Sequence, residues 1–208
     1  MMNEADMKNV IHKAVRVIPA WTIYVLGTSY AVWLFYLGLT NQLGPEPVNS
    51  LEREYGEVAL KLLVLGLAIS PLRNLIGINL IKFRRAIGLT AFFFVVAHLS
   101  VWAVLDVQSF DRIWADILKR PYITIGFIGF LALLPLALTS NNRSLRRLGP
   151  VLWNKVHLLT YPAVLLAAAH YIWLVKGFPL EPFVYLAVIV ALLALRFVPR
   201  RKSRALRA

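Results

Sequence analysis

Long apolar runs alternate along the chain with short polar clusters rich in Lys and Arg. Trp21 to Leu39 is the first run long enough to cross a hydrocarbon layer roughly 30 Å thick, which takes about 20 helical residues. NQLGPEPVNSLEREYGE follows, with two prolines and four glutamates, and predicts an extramembrane loop. Val58 to Leu72 predicts a second, shorter span ending at Pro71, and RNLIGINLIKFRR a connection whose apolar middle lies in the interface. Ala86 to Leu105 is the third span. In DVQSFDRIWADILKRP, Phe110, Ile113, Trp114 and Ile117 recur at helical spacing, which predicts a short amphipathic helix on the membrane surface. Tyr122 to Leu138 is the fourth span, and the polar TSNNRSLRRLGP leads from it to the fifth, Val151 to Val175. A KGFPLE turn precedes the sixth, Pro182 to Val198, and the basic PRRKSRALRA closes the chain. The pattern therefore predicts an all-α integral membrane bundle of six helices, over about 21–39, 58–72, 86–105, 122–138, 151–175 and 182–198, in one domain covering 1–208. The lead MMNEADMKNVIHKAVRVIPA lacks a small-residue cleavage site after a short apolar core and is not expected to be a removable signal peptide.

Composition narrows the chemistry. Hydrophobic residues make up 59% of the chain and charged ones 16%, with a mean hydropathy of +0.66, well beyond an ordinary globular balance. Cysteine is absent, which excludes disulfides, zinc ribbons, iron–sulfur clusters and thiol nucleophiles. A bound metal must then rely on His or carboxylate ligands. The net charge of +13 would suit nucleic acid on a soluble face, but the basic residues are scattered in clusters between apolar runs and imply no nucleic-acid partner.

Those clusters read as topology. With six spans, both termini share a side, and that side holds Lys8, Arg16, Arg73, Lys82, Arg84, Arg85, Arg146, Arg147, Arg196 and the basic tail. Most acidic residues fall on the other side, beside Arg53, Arg112, Lys119, Arg120 and Lys176. The positive-inside rule then makes both termini cytoplasmic and, for a bacterial protein, the opposite loops periplasmic. Trp21, Trp102, Trp114, Trp153, Tyr161 and Trp173 near span ends predict an interfacial aromatic belt.

Three histidines lie inside apolar runs: His98 in the third span, His157 and His170 in the fifth. The 13-residue step from His157 to His170 is roughly 20 Å along a helix, so one imidazole belongs near each membrane face. Counted from its basic flank, His98 lies in the outer half, level with His170. A His98/His170 pair on two helices could fill both axial positions of one haem iron, as in b-type cytochromes. Arg84 lies 14 residues before His98, within about 40° of the same helix face, at the depth of His157. A guanidinium has no lone pair for iron but suits a haem propionate. An inner haem would thus rest on His157, with Arg84 beside it. In an ideal helix the His157–His170 step turns the second ring about 140° from the first, so Pro162 is expected to kink or unwind the segment. His12, among basic residues before the first span, is expected at the surface.

KFRRAIGL, AHLSVW, KRPYITIG, LALTS, RRLG, WNKVHLLTY and AHYIWLVK together resemble the haem-binding membrane subunit of the bacterial protein-methionine-sulfoxide reductase system, the MsrQ (formerly YedZ) family, within the wider ferric reductase and NADPH oxidase transmembrane class. The resemblance runs from about Pro45 to Arg196. It implies a six-helix protein of the bacterial inner membrane carrying one or two b haems, with flavin mononucleotide (FMN) also associated. It further implies a periplasmic molybdopterin reductase partner, MsrP, that repairs oxidised methionines, and a donor that is either membrane quinone or a cytoplasmic flavin reductase. The matching ligand positions are His98, His157 and His170; the wider class has a fourth histidine where this chain has Arg84.

Three functions fit these residues. The first is an electron-transfer subunit passing electrons through haem to a periplasmic reductase that carries out the substrate chemistry. The second is a self-sufficient transmembrane metal or oxygen reductase, against which stands the lack of a fused flavin and nicotinamide domain in these residues. The third is a transporter or assembly factor whose histidines are interhelical hydrogen bonders.

Overall fold

The computed structural model describes residues 15–175, 177 and 179–196, together with positions 3, 10 and 13. The surface position expected for His12, the topological roles of Lys8 and Lys176, and the tail from 197 onward lie outside the described residues. Among the described residues, eight α-helices follow one another from Trp21 onward and no strand occurs. Helix α1 is Trp21–Leu39, α2 Pro47–Pro71, α3 Arg84–Ser100, α4 Phe110–Lys119, α5 Pro121–Thr139, α6 Asn142–His157, α7 Thr160–Leu174 and α8 Leu180–Ala194. Among the described residues, five helical segments are long and apolar enough to cross a membrane: Trp21–Leu39, Pro47–Ile76, Ile81–Val107, Pro121–Thr139 and Asn142–Leu174. The last segment expected to span, 182–198, falls on the shorter apolar α8, with 197 and 198 outside the described residues.

Helix α2 corrects the sequence reading most. It begins at Pro47, so the second half of the expected loop is helical. Proline is well suited to a first helical position, where its missing N–H costs nothing. Leu51, Tyr55 and Ala59 then recur every four residues and are all buried, leaving Glu52, Arg53, Glu54 and Glu57 for the other faces. Glu52, Glu54 and Glu57 lower the hydropathy without breaking the helical period, and Glu57 pairs with Lys61 one turn on at 2.6 Å. At its far end, Pro71 has no N–H for the carbonyl of Leu67. Arg196, beyond the end of α8, donates Nη2 to that carbonyl at 3.2 Å and Nη1 to the Tyr161 hydroxyl at 2.6 Å. The side chain thus repairs a backbone group freed inside an apolar bundle, where an unpaired carbonyl is costly.

Two helices run on as wider π-helical turns, α2 through Leu72–Ile76 to Gly77 and α3 through Val101–Val107 to Gln108. The segment Asn142–Leu174, which takes in all but the last residue of the expected fifth span, is broken twice. Gly149, with φ 70°, separates a polar first part of α6 from Pro150–His157, so Asn142 to Leu148 are helical where a polar connection was expected. Asn141 caps that first part through its side chain, accepting from the Ser144 amide at 2.8 Å. The second break, at Leu158 and Leu159, lies just ahead of Pro162. Proline cannot donate to the Leu158 carbonyl, and the Tyr161 amide does so at 3.0 Å, tightening the turn and ending α6 at His157.

The bundle packs α2 most extensively on α3, and α5 on α7, with α8 against α7 and α2 and α1 against α3 and α2. The main core lies where α2, α3, α5, α7 and α8 meet, around Leu67, Ala91, Ala163, Val164, Ala168 and Ile189. Small residues bring α5 and α7 together: a Cβ added at Gly129 would stand 3.5 Å from the Leu166 Cβ and 3.8 Å from the Ala163 carbonyl. Such contacts, more than apolar burial, drive helix association in lipid. A second cluster seats α1 and α2 on Phe94, with the Tyr55 hydroxyl donating to the Ala31 carbonyl at 2.8 Å. An interhelical bond of this kind contributes about 1 kcal/mol.

Outward positions stay apolar. Leu26, Val32 and Leu39 of α1 and Val184 and Val190 of α8 are exposed, as expected of helix faces turned to lipid. The aromatic belt is only partly realised. Trp21, Trp114 and Trp173 are exposed, whereas Trp102 is buried, Trp153 donates Nε1 to the Thr139 carbonyl at 2.9 Å, and Tyr161 is held by Arg196. Helix α4 divides its apolar residues between two sides: Ile117 packs inward, and Phe110, Trp114 and Leu118 face outward.

Polar contacts define the two ends of the bundle. At one, Lys82 Nζ donates to the carbonyls of Val15, Arg16 and Ile18, Arg85 donates to the Asn142 side chain at 2.9 Å, and Arg196 reaches Leu67. The residues before α1, the α2–α3 and α5–α6 connections and the end of α8 therefore meet at one basic end.

Candidate functional site

The opposite end carries the two histidines expected at one depth. His98 sits one turn beyond Phe94, whose 1% exposure anchors α3 against α1 and α2. His98 Nδ1 lies 2.8 Å from the Glu52 carbonyl on α2, and His170 Nδ1, on α7, lies 2.7 Å from the Tyr122 carbonyl on α5. A carbonyl only accepts, so Nδ1 carries the hydrogen in both rings and Nε2 keeps its lone pair. The ring centroids are 6.3 Å apart and the planes cross at 77°. An imidazole nitrogen binds a first-row metal at roughly 2 Å. With about 1 Å from that nitrogen to the ring centre, two trans imidazoles on one metal stand roughly 6 Å apart. The spacing matches, and so does the tautomer, because metal-binding histidines usually donate their other ring N–H to a carbonyl or carboxylate.

A cleft surrounds the pair, between α2, α3, α5 and α7. Its cavity volume is about 290 Å³, close to the lower end of the roughly 300–1,000 Å³ of small-molecule pockets. The cleft is two-natured: Leu60, Leu63, Leu133 and Ala163 line its apolar interior, and Glu52, Arg53, Glu57, Asp106 and Arg120 supply polar groups. A planar group with an apolar body and a charged edge suits such a lining.

His157 is elsewhere, at the end of α6, and does not line this cleft. Its ring stacks on Trp153, with centroids 3.7 Å apart and planes 26° from parallel. Its Nε2 is 3.3 Å from Thr139 Oγ1. That hydroxyl sits 2.6 Å from the Pro135 carbonyl and gives its hydrogen there, so Nε2–H donates to Thr139 and the His157 lone pair is on Nδ1. The tautomer is opposite to that of the outer pair. Arg84 opens α3 at the basic end and is exposed.

Residue patterns did not single out the groups that orient these rings. Gly56 and Gly126 lie against His98 and His170, and Glu52 and Tyr122 contribute backbone carbonyls that no side-chain pattern reveals. The interhelical pairing of His157 with Thr139 likewise depends on which turns of α5 and α6 face each other.

Residues 55–168 match the family described as ferric reductase like transmembrane component. The chain is 46% identical over 177 residues to the protein-methionine-sulfoxide reductase heme-binding subunit MsrQ of Brucella ovis, covering 85% of this chain and 80% of that protein. MsrQ proteins of Brucella abortus strain S19 and Brucella melitensis biotype 2 match to the same extent. The chain belongs to the MsrQ family. No solved structure matches it. The ferric reductase match takes in His98, His157, Gly56 and Gly126 and stops just short of His170. The all-helical fold and the apolar helices long enough to span agree with a multi-pass membrane protein.

Proposed function

We propose that this chain is the b-type haem, electron-carrying membrane subunit of a protein-methionine-sulfoxide reductase, with one haem held between His98 and His170. The observation that carries the proposal is the crossed imidazole pair lining one cleft, with both Nδ1 atoms tied to carbonyls so that the lone pairs are on Nε2. Bound there, haem iron supplies a one-electron carrier through its ferric and ferrous states. The chain's own part is to present two neutral imidazoles, fix their tautomers through the Glu52 and Tyr122 carbonyls, and exclude water with the apolar lining of α2, α5 and α7.

A second haem is proposed at the basic end on His157, whose Nδ1 keeps a lone pair, with Arg84 as a propionate partner. Electrons enter at the cytoplasmic face, from a flavin reductase or from membrane quinone, and leave at the outer face to a periplasmic molybdopterin reductase, MsrP, where sulfoxide reduction takes place. FMN enters this proposal through the family resemblance. The reduced-minus-oxidised spectrum of the purified protein, with a pyridine haemochrome count, tests the function: b-type bands are expected, and their absence would return the chain to a transporter or assembly role.

The proposed setting is the bacterial inner membrane, with α8 as the sixth span and both termini cytoplasmic. The gathering of Lys82, Arg85 and Arg196 at one end supports it through the positive-inside rule. Reporters fused after Leu43 or Gln108 should read as periplasmic, and those after Asn141 or Ala208 as cytoplasmic. The opposite pattern at the last two would exchange the inner and outer haem positions.

The partner is proposed to dock beside the outer pair, on the segments from Asp106 to Pro121 and from Lys176 to Glu181. Charges there are mixed, with Asp111 and Glu181 among Lys119 and Arg120, and Arg120 paired to Asp116 at 3.1 Å. Docking should weaken as salt rises, since exposed charges are screened within about 10 Å at 0.1 M. Electron delivery that survives charge reversal across both segments would remove this surface from consideration.

A further inference from the structure

We infer that Gly56 and Gly126 are positioning residues that set the planes of the His98 and His170 rings, and through them the electronic state of the metal between them. The inference rests on the outer haem reading and adds residues to it. In both helices the ring-binding carbonyl and the glycine stand four residues apart, Glu52 with Gly56 in α2 and Tyr122 with Gly126 in α5. A helical carbonyl accepts from the amide four residues ahead and has a second lone pair to offer. The imidazole takes that second lone pair at 2.8 Å in α2 and 2.7 Å in α5. To reach it, the ring must lie where the side chain one turn ahead would project.

The encroachment of an added methyl is direct. A Cβ at Gly56 would stand 3.1 Å from His98 Nδ1 and 3.4 Å from Cε1. At Gly126 it would stand 2.8 Å from His170 Nδ1, 2.9 Å from Cε1 and 3.1 Å from Cγ. Glycine is a poor helix former, yet both helices carry one against a ring. By contrast, a Cβ at Gly88, on the helix that carries His98, would meet nothing within 4 Å.

Ring planes matter because each imidazole donates π density into one of the two iron dπ orbitals. Parallel rings raise the same orbital and split the pair. Crossed rings raise one each and leave the pair nearly degenerate. With planes at 77°, the ferric centre should give a highly anisotropic low-spin electron paramagnetic resonance signal with its low-field feature far downfield. The two glycine slots hold that crossing, and second-shell changes of this kind tune a metal centre without altering its ligands.

The test uses the full chain purified with its haem, comparing Gly56→Ala, Gly126→Ala, Gly88→Ala and His98→Ala by resonance spectrum and redox titration. Gly88→Ala should keep the wild-type g values and midpoint potential. Gly56→Ala should keep its haem but move both readouts, the low-field g toward the rhombic position. Gly126→Ala, with the closer contacts, should move them further or lose the outer component. Wild-type g values and potentials in both ring-facing variants would overturn the inference, as would equal shifts in Gly88→Ala. If Gly126→Ala does not accumulate, Gly56→Ala decides on the same readouts. Survival of the anisotropic signal in His98→Ala would instead sink the haem reading, a separate failure.

Discussion

Replacing His98 with Ala, and separately His170 with Ala, should remove the same low-spin haem component if the proposed outer haem is held between them. Each ring keeps one lone pair, on Nε2, with the centroids 6.3 Å apart, so a six-coordinate metal between them would need both. Second-shell losses at metal sites cost roughly 10–100-fold in affinity, and loss of an axial ligand should exceed that, leaving outer haem occupancy near the detection limit or high-spin. The fold should survive the His98 change, because α3 is seated by Phe94 and Ala91, which are buried independently of the ring. Haem per protein and the reduced-minus-oxidised spectrum of the two variants give the measurement. If the variants lose different components, the two rings serve different centres and the shared outer site is wrong.

The features legible in the sequence were those that depend on position along one helix. The α1 run from Trp21 to Leu39 has the bounds its hydropathy predicts, and counting residues from basic flanks placed His98 and His170 at one level, where the rings meet. Pro162 marked the interruption between His157 and His170, though the break lies at Leu158 and Leu159, because proline withholds a donor from the carbonyl four residues earlier. The start of α2 was obscured because average hydropathy follows the four glutamates, while helix formation follows the four-residue recurrence of Leu51, Tyr55 and Ala59. Contacts between helices left no local trace. Trp153 and Tyr161 suit a membrane interface by type, and only the packing of α5, α7 and α8 turns them into partners of Thr139 and Arg196. Gly56 and Gly126 are two glycines among 11, and what distinguishes them is the ring brought against each by another helix.

His157→Ala should leave the outer component intact and abolish the second, stopping electron delivery from the cytoplasmic side. The outer pair is tied to Glu52 and Tyr122, whereas His157 contacts Trp153 and Thr139 at the other end of α5, so no contact is shared. Losing the Thr139 bond and the stacking alone would cost about 1–2 kcal/mol, too little to unfold the bundle. Without an inner carrier, an electron must cross at least the rise of α7 from Thr160 to His170, roughly 15 Å, and tunnelling falls exponentially with distance. Arg84→Ala should be milder, shifting the potential of the inner haem or lowering its occupancy about tenfold through the loss of a propionate partner. Thr139→Val separates the ligand role from the structural one: it removes the partner of Nε2–H but leaves Nδ1, so the second component should persist. Spectra, pyridine haemochrome values and delivery to the periplasmic reductase in these three variants carry the comparison. A full second component in His157→Ala would place the inner haem on other ligands and leave His157 as an interhelical tie.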